Sequence, residues 1–173
     1  AREWERGTME ALMSTPATNG EIIISKLLSY FVLGMMAIVA CGVIAVGIFG
    51  VPLRGSVGTL LLVGAVFLMP ALGQGLLIST LAPNQFAAAQ IGIMSGFLPA
   101  LLLSGFVYEI QNMPEIVQWV TVIVPARYFV ASLQTVFLAG DLWDDLLPNI
   151  MALLILGTVL FSITFIKSRR TLD

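Results

Sequence analysis

The sequence contains no histidine and a single cysteine, Cys41. Without imidazole there is no Ser-His or Cys-His nucleophile pair, no His proton relay and no His-ligated metal. A lone cysteine deep in an apolar tract cannot form an internal disulfide and reads as a small core hydrophobe. Charge is scarce too: Asp, Glu, Lys and Arg make up 10% of the chain, where a soluble domain carries about 25%. The scarcity is uneven, and none of the four occurs in residues 27 to 53, 55 to 108 or 146 to 166. One spanning helix needs about 20 predominantly apolar residues, so these tracts hold several spans and the class is an all-α polytopic membrane protein. Eight Lys and Arg scattered through a chain of net charge −2 make no basic stripe for a phosphate backbone. Nucleic acid is thereby excluded as a partner, and the lipid bilayer takes its place.

What is present divides the chain into segments. Residues 2 to 15 (REWERGTMEALMST) carry charges at Arg2, Glu3, Glu5, Arg6 and Glu10 and a less polar line at Trp4, Thr8, Leu12 and Thr15. Spacings of three and four put that line on one side of a helix. The segment 1 to 17, interrupted at Pro16, is too polar to span and is expected along the membrane surface or against a partner. Thr18 with Glu21 fits a capping box, so the first span, 18 to 50, starts there, with Lys26 close enough to its end to snorkel. A turn at 51 to 56 leads to a second span at 57 to 80, and a third follows at 86 to 106. Pro70 and Pro99 lie inside them and are expected to kink them. A fourth span covers 147 to 166, with a tail at 167 to 173. The chain opens Ala1-Arg2-Glu3-Trp4, with neither an initiator Met nor a signal-peptide layout, and is expected to begin inside a longer protein.

Residues 107 to 145 are apolar in patches but broken by Glu109, Pro114, Glu115, Pro125, Arg127, Gly140 and Asp141. The pieces 116 to 124 and 128 to 140 are each too short to cross, and joining them into one span would place Pro125 and Arg127 near mid-membrane. Lys and Arg near span ends favour the cytoplasm. Four spans put Arg2, Arg6, Lys26, Lys167, Arg169 and Arg170 on one side, against Arg54 and Arg127 on the other. Five spans would separate the two basic ends. Both termini are therefore expected in the cytoplasm, with 114 to 140 a re-entrant helical hairpin that enters and leaves from the outer side. Irregular backbone at that depth needs protein or water around it, so the element should face the bundle or a pathway. Tyr108, Trp119, Tyr128 and Trp143 would supply the outer aromatic belt.

Taken together, REWERGTMEALMSTP (2 to 16), the helix start between Glu21 and Lys26, and LLLSGFVYEIQNMPEIVQWVTVIVPARYF (101 to 129) resemble the membrane subunit of a type-2 ABC (ATP-binding cassette) exporter, over nearly the whole length. The resemblance implies a permease in the cytoplasmic membrane. It makes Glu3, Glu5, Arg6, Gly7, Thr8 and Glu10 part of a cytoplasmic coupling helix that contacts an ATPase. It makes Asn112, Met113, Pro114, Pro125, Arg127 and Tyr128 part of the outer re-entrant element. ATP and Mg would be bound by the ATPase subunit, with no cofactor, catalytic residue or metal in this chain, and a second permease copy or a homologous permease would complete the assembly. Family members usually begin with one span, often a large extracellular domain, and another span before the coupling helix, so this chain resembles the C-terminal part.

Plainer readings stand beside these. Residues 2 to 15 could simply anchor the chain at the interface, and Arg127 could meet lipid headgroups. If Arg127 is buried it requires a carboxylate or carbonyl nearby, with Glu109 and Glu115 as candidates. Ala88, Gly92 and Gly96 recur every four residues as a small-xxx-small face, which serves packing within one bundle as well as a dimer or pathway wall. Gln74, Gln90 and Ser95 are explained more cheaply by interhelical hydrogen bonds than by substrate contact. Met35, Met36 and Phe97 could line a greasy path, yet such residues are ordinary in spans. An ion-coupled carrier keeps an ionisable group in its membrane core, and the first three spans contain none from 27 to 53 or from 55 to 108. No Gly-x-x-x-x-Gly-Lys-Ser/Thr occurs either, so energy must come from a separate ATPase. A non-transporting membrane anchor or assembly subunit is the competing function.

Overall fold

A computed structural model describes residues 19 to 170. The described residues form helices and no strand, the arrangement that lets a long apolar run satisfy its own backbone where water is absent. In chain order these are α1 (Asn19–Gly47), α2 (Val57–Leu81), α3 (Gln85–Leu103), α4 (Glu115–Thr121), α5 (Pro125–Ala139) and α6 (Trp143–Arg170). A single 3-10 turn, Ile110–Asn112, precedes α4. Four of them, α1, α2, α3 and α6, are long and apolar enough to cross a membrane. The chain is a multi-pass membrane protein.

Local chemistry sets several boundaries. Ser56 caps α2, its Oγ accepting from the Thr59 N–H at 3.1 Å, and Pro83 stops the helix one residue after Ala82 closes it onto the Ile78 carbonyl. Asn84 then caps α3, its Oδ1 accepting from the Ala87 N–H at 2.7 Å. Within α3 the residues Ile93–Phe97 wind as a π turn directly before Pro99. Pro99 cannot donate to the Ser95 carbonyl four residues back; Gln74 Nε2, reaching from α2, donates to that oxygen at 2.9 Å instead. The expected interhelical bond is thus present, although Ser95 contributes its backbone while its hydroxyl donates to Ile91 O. Trp143, Asp144 and Asp145 form a polar first turn of α6, with the two carboxylates at the positive end of the helix dipole.

α2 is the central helix and touches α1, α3, α5 and α6. Towards its Ser56 end, Leu60 and Val63 are buried against Val136 of α5 and Leu146 and Ile150 of α6. Phe67 of α2 stacks on Phe129 of α5, ring centroids 4.0 Å apart and 11° from parallel. Towards the other end α2 and α6 cross closely: a Cβ on Gly73 would sit 3.1 Å from Leu160 Cβ, and one on Gly157 3.3 Å from Pro70 N. Thr164 Oγ1 donates to Gly73 O there at 3.4 Å. No residue in the apolar windows of α1 and α3 is fully buried inside this bundle; one side of each is half-buried, and side chains such as Met36, Met94 and Phe97 are exposed.

Candidate functional site

The sharpest structural departure from a plain bundle is the bend of 87° between α4 and α5. Its approach is tied down first. Asn112 Nδ2 donates to Glu109 Oε2 at 3.3 Å, Met113 closes the 3-10 turn onto the Ile110 carbonyl, and Pro114 provides the N-cap of α4. Gln118 Nε2 reaches back to Met113 O at 2.8 Å. At the far end of α4 the chain tightens into successive i to i+3 bonds, from Val122, Ile123 and Val124 to Trp119, Val120 and Thr121, and Pro125 then starts α5 in the position where its missing N–H costs least.

A helix that stops inside a protein leaves carbonyls without donors, and the first turn of α5 supplies them. Arg127 Nη1 donates to the hydroxyl of fully buried Thr121 at 2.6 Å and lies 3.5 Å from Gln118 O, while the Tyr128 hydroxyl donates to Val122 O at 3.0 Å. The Thr121 hydroxyl donates in turn to Gln118 O at 2.7 Å. Arg127 therefore sits at a helix C-terminus, where a cation is favoured. Neither Glu109 nor Glu115, the carboxylates considered from sequence, is its partner. The local reason is that the end of α4 offers acceptors closer to hand. Among the described residues Nε and Nη2 of Arg127 have no partner.

The depth of this corner follows from packing. Phe67 lies ten residues into α2 and Phe129 ten residues before the end of α5, each about 15 Å at 1.5 Å per residue. The end of α5 is pinned beside the start of α2, because Arg54 N–H donates to Phe137 O at 3.3 Å and Gly55 N–H to Val136 O at 2.8 Å. The two helices thus run antiparallel, and Arg127 comes about 18 Å along α2, roughly its midpoint.

Sequence reasoning missed the second fastening at the Ser56 end. Asp141 accepts from the Ser56 N–H through both carboxylate oxygens, at 3.0 and 3.1 Å, and the Ser56 and Thr59 hydroxyls are 2.8 Å apart. Chiefly the Ser56 backbone bond, with help from the Thr59 and Ser56 hydroxyls against a desolvation cost, holds the Asp141 carboxyl below its ordinary 3.8. Space is tight: a Cβ on Gly55 would fall 2.7 Å from Asp141 Oδ1 and 2.9 Å from Val136 O. Gly140 turns the chain at φ 106°, a conformation that favours glycine. Two polar turn residues far apart in sequence carry no signal that they meet.

Other expected positions are less engaged. Ala88, Gly92 and Gly96 share the half-buried face of α3; Gly96 lies near Gln74, with 3.7 Å from its Cβ direction to Nε2, and nothing lies within 4 Å of Gly92. An apolar cleft of about 420 Å³ opens between α1, α2 and α6, lined among others by Leu27, Phe31, Met69 and Phe161; Met35, Met36 and Phe97 do not line it. Glu3, Glu5, Arg6, Gly7, Thr8 and Glu10 lie outside the described residues. Among the described residues no cluster of His, Cys, Asp or Glu could hold a metal ion.

The family described as ABC-2 type transporter matches residues 1–138. Over all 173 residues the chain is 47% identical to an Escherichia coli K12 protein named probable multidrug ABC transporter permease YbhS. It is 31% identical over 172 residues to the one named probable multidrug ABC transporter permease YbhR, and 29% over 177 to the one named inner membrane transport permease YhhJ. Each alignment covers 46% of the relative, so the chain spans less than half the length of these curated relatives. No solved structure matches it.

Proposed function

This chain belongs to the ABC-2 type transporter family, and from that premise we propose that it supplies the spanning helices of a permease that moves a solute outward across the cytoplasmic membrane. The observation that carries the reading is the coincidence of four apolar spans with a family match over residues 1–138. Energy comes from a separate ATPase subunit that binds ATP and Mg. The helix at 2 to 15 is the coupling helix, docking in a groove of that ATPase through Glu3, Arg6 and Glu10, a packed contact being needed to transmit nucleotide-driven motion. Both termini lie in the cytoplasm, so the Ser56 end of the bundle is the outer end. The pinning of the α5 terminus at Arg54 and Gly55 supports a re-entrant α4–α5 element rather than a fifth crossing. The names of the relatives at 47% and 31% identity, both multidrug permeases by their printed description, favour drugs as the solute class.

Four spans enclose no route for a bulky solute, so the pathway runs between this permease and a second copy or a homologue, with the Ala88, Gly92 and Gly96 face of α3 as one wall. The test is ATP-dependent uptake into inside-out vesicles by the purified complex. Transport that appears with ATP and disappears in Arg6→Glu, with hydrolysis retained, is the expected result. Absence of ATP-dependent movement of any drug in a chemically varied panel by the wild-type complex would leave the anchor or assembly role standing.

A further inference from the structure

We propose that the apolar cleft between α1, α2 and α6 is the seat of one acyl chain of a bilayer phospholipid, held where α1 parts from α2. The proposal goes beyond the permease reading and stands without it; only the name of the leaflet, the inner one, rests on the cytoplasmic placement of the termini. The cleft comes from the way the two helices meet. Around their middles α1 and α2 pack closely in an antiparallel register: a Cβ on Gly34 would sit 2.6 Å from Leu68 Cδ2, one on Gly64 2.9 Å from Ile38 Cδ1, and one on Gly42 3.4 Å from Leu60 Cδ2. Small residues permit that approach. Continued towards the start of α1, the same register sets Leu27 opposite Gly75, yet nothing lies within 4 Å of a Cβ on Gly75. The helices have separated there, and the cleft opens beside the parting.

The shape and lining of the cleft select its occupant. It extends from Ile24 to Phe31 on α1 and from Ala65 to Leu72 on α2, with Phe161 of α6 as the far wall. Seven residues of helix rise about 10 Å, so a volume of about 420 Å³ has a mean cross-section of about 40 Å². An α-helix with its side chains is about 10–12 Å across, or about 80–110 Å². A span from a second copy or from another part of the chain is therefore too wide to enter, whereas an extended hydrocarbon chain fits. Every lining residue is apolar, which leaves a polar solute or water without a hydrogen-bond partner. Leu28 and Met69 are exposed at its mouth, so it opens to the bilayer, where acyl chains are the solvent. Left empty, it would forfeit dispersion contacts along all three walls. No residue in the apolar window of α1 is fully buried, and a seated chain gives the first half of that helix a packing partner.

Photolabelling tests this. The full-length permease is placed in nanodiscs with a phosphatidylcholine that carries a diazirine midway along one chain, then exchanged into lipid-free detergent and illuminated. Loosely associated lipid is washed away, and a chain seated in the cleft stays. Adducts should then be found at Leu27, Phe31 and Met69 and be absent from Met36, which is exposed on α1 outside the cleft. Ala65→Trp fills the floor and should remove them, whereas Met36→Trp should not. Leu28→Trp narrows the mouth from an exposed position, with little risk to folding, and should remove them too. Equal loss of label from the cleft and from Met36 in detergent would reduce the cleft to ordinary lipid contact and overturn the proposal. So would adducts that survive both Ala65→Trp and Leu28→Trp, or cleft positions already unlabelled in nanodiscs, the sign that protein covers them.

Discussion

Replacing Gln74 by Leu removes the donor that crosses from α2 to the Ser95 carbonyl at 2.9 Å. That carbonyl is the one Pro99 cannot serve, so the two positions are linked by a single hydrogen bond rather than by contact. A buried acceptor left bare costs about 1–3 kcal/mol, but interhelical bonds in a membrane protein average about 0.6 and reach about 1.7 kcal/mol, because the unfolded chain in lipid also finds partners. The second scale governs here, and Gln74→Leu is expected to cost about 1 kcal/mol. In a Pro99→Ala background the alanine N–H can serve Ser95 O from within α3, so the same Gln74→Leu change should cost less, leaving a coupling of about 0.5–1 kcal/mol between the sites. The four proteins of the cycle are compared by reversible unfolding in bicelles. Equal cost of Gln74→Leu in both backgrounds would refute the claim that Gln74 substitutes for the donor missing at Pro99.

The Asp141 fastening is pH-dependent in a defined direction: its carboxyl is held below the ordinary 3.8, so its contribution is full above the unfolded value and disappears as pH falls through the lowered folded value. Protection of the Ser56 amide from hydrogen exchange should fall with it in the wild type and become pH-independent in Asp141→Asn. Gly92→Leu meets nothing within 4 Å in this chain, so it should leave the fold intact while weakening cross-linked dimers and export, with Gly58→Leu doing much less; an intact dimer with normal export would assign the α3 face to lipid. Cys substitutions at Gln111 and Asp144, with Cys41→Ser, should both react with an impermeant thiol reagent from outside, and labelling of the Asp144 position only from inside would establish a fifth crossing.

The spans were legible because composition alone decides them: stretches free of charge and long enough to cross have few other destinations. The role of Gln74 was legible in kind, since a polar side chain in an apolar helix needs a partner, but not in detail, because the partner is a backbone oxygen exposed by a proline on another helix. Arg127 was visible as a problem to be solved, and its solution was hidden because the ends of short helices, which create the free carbonyls of Gln118 and Val122, are poorly fixed by pattern. The contact of Ser56 with Asp141 spans 85 positions and joins two unremarkable turns. Glycine identity was no guide to which helices touch: with 16 in the chain, only tertiary structure distinguishes Gly73 and Gly157, which sit at a crossing, from Gly92, which faces open space.

These contacts also divide the bundle mechanically. α5 is fastened at its start by Arg127 and Tyr128 and at its end by Arg54, Gly55 and the neighbouring Asp141. Its middle joins α2 and α6 through Val136, Leu146 and the Phe67–Phe129 stack. α2, α5 and α6 therefore behave as one block. No residue in the apolar windows of α1 and α3 is fully buried, and segments with few buried contacts are the ones that open and shift at low cost. α3 adds a π turn and a proline within seven residues, where its own hydrogen-bond ladder is weakest. α3 is thus the element expected to shift at least cost about this block, held to α2 by the Gln74 bond to Ser95.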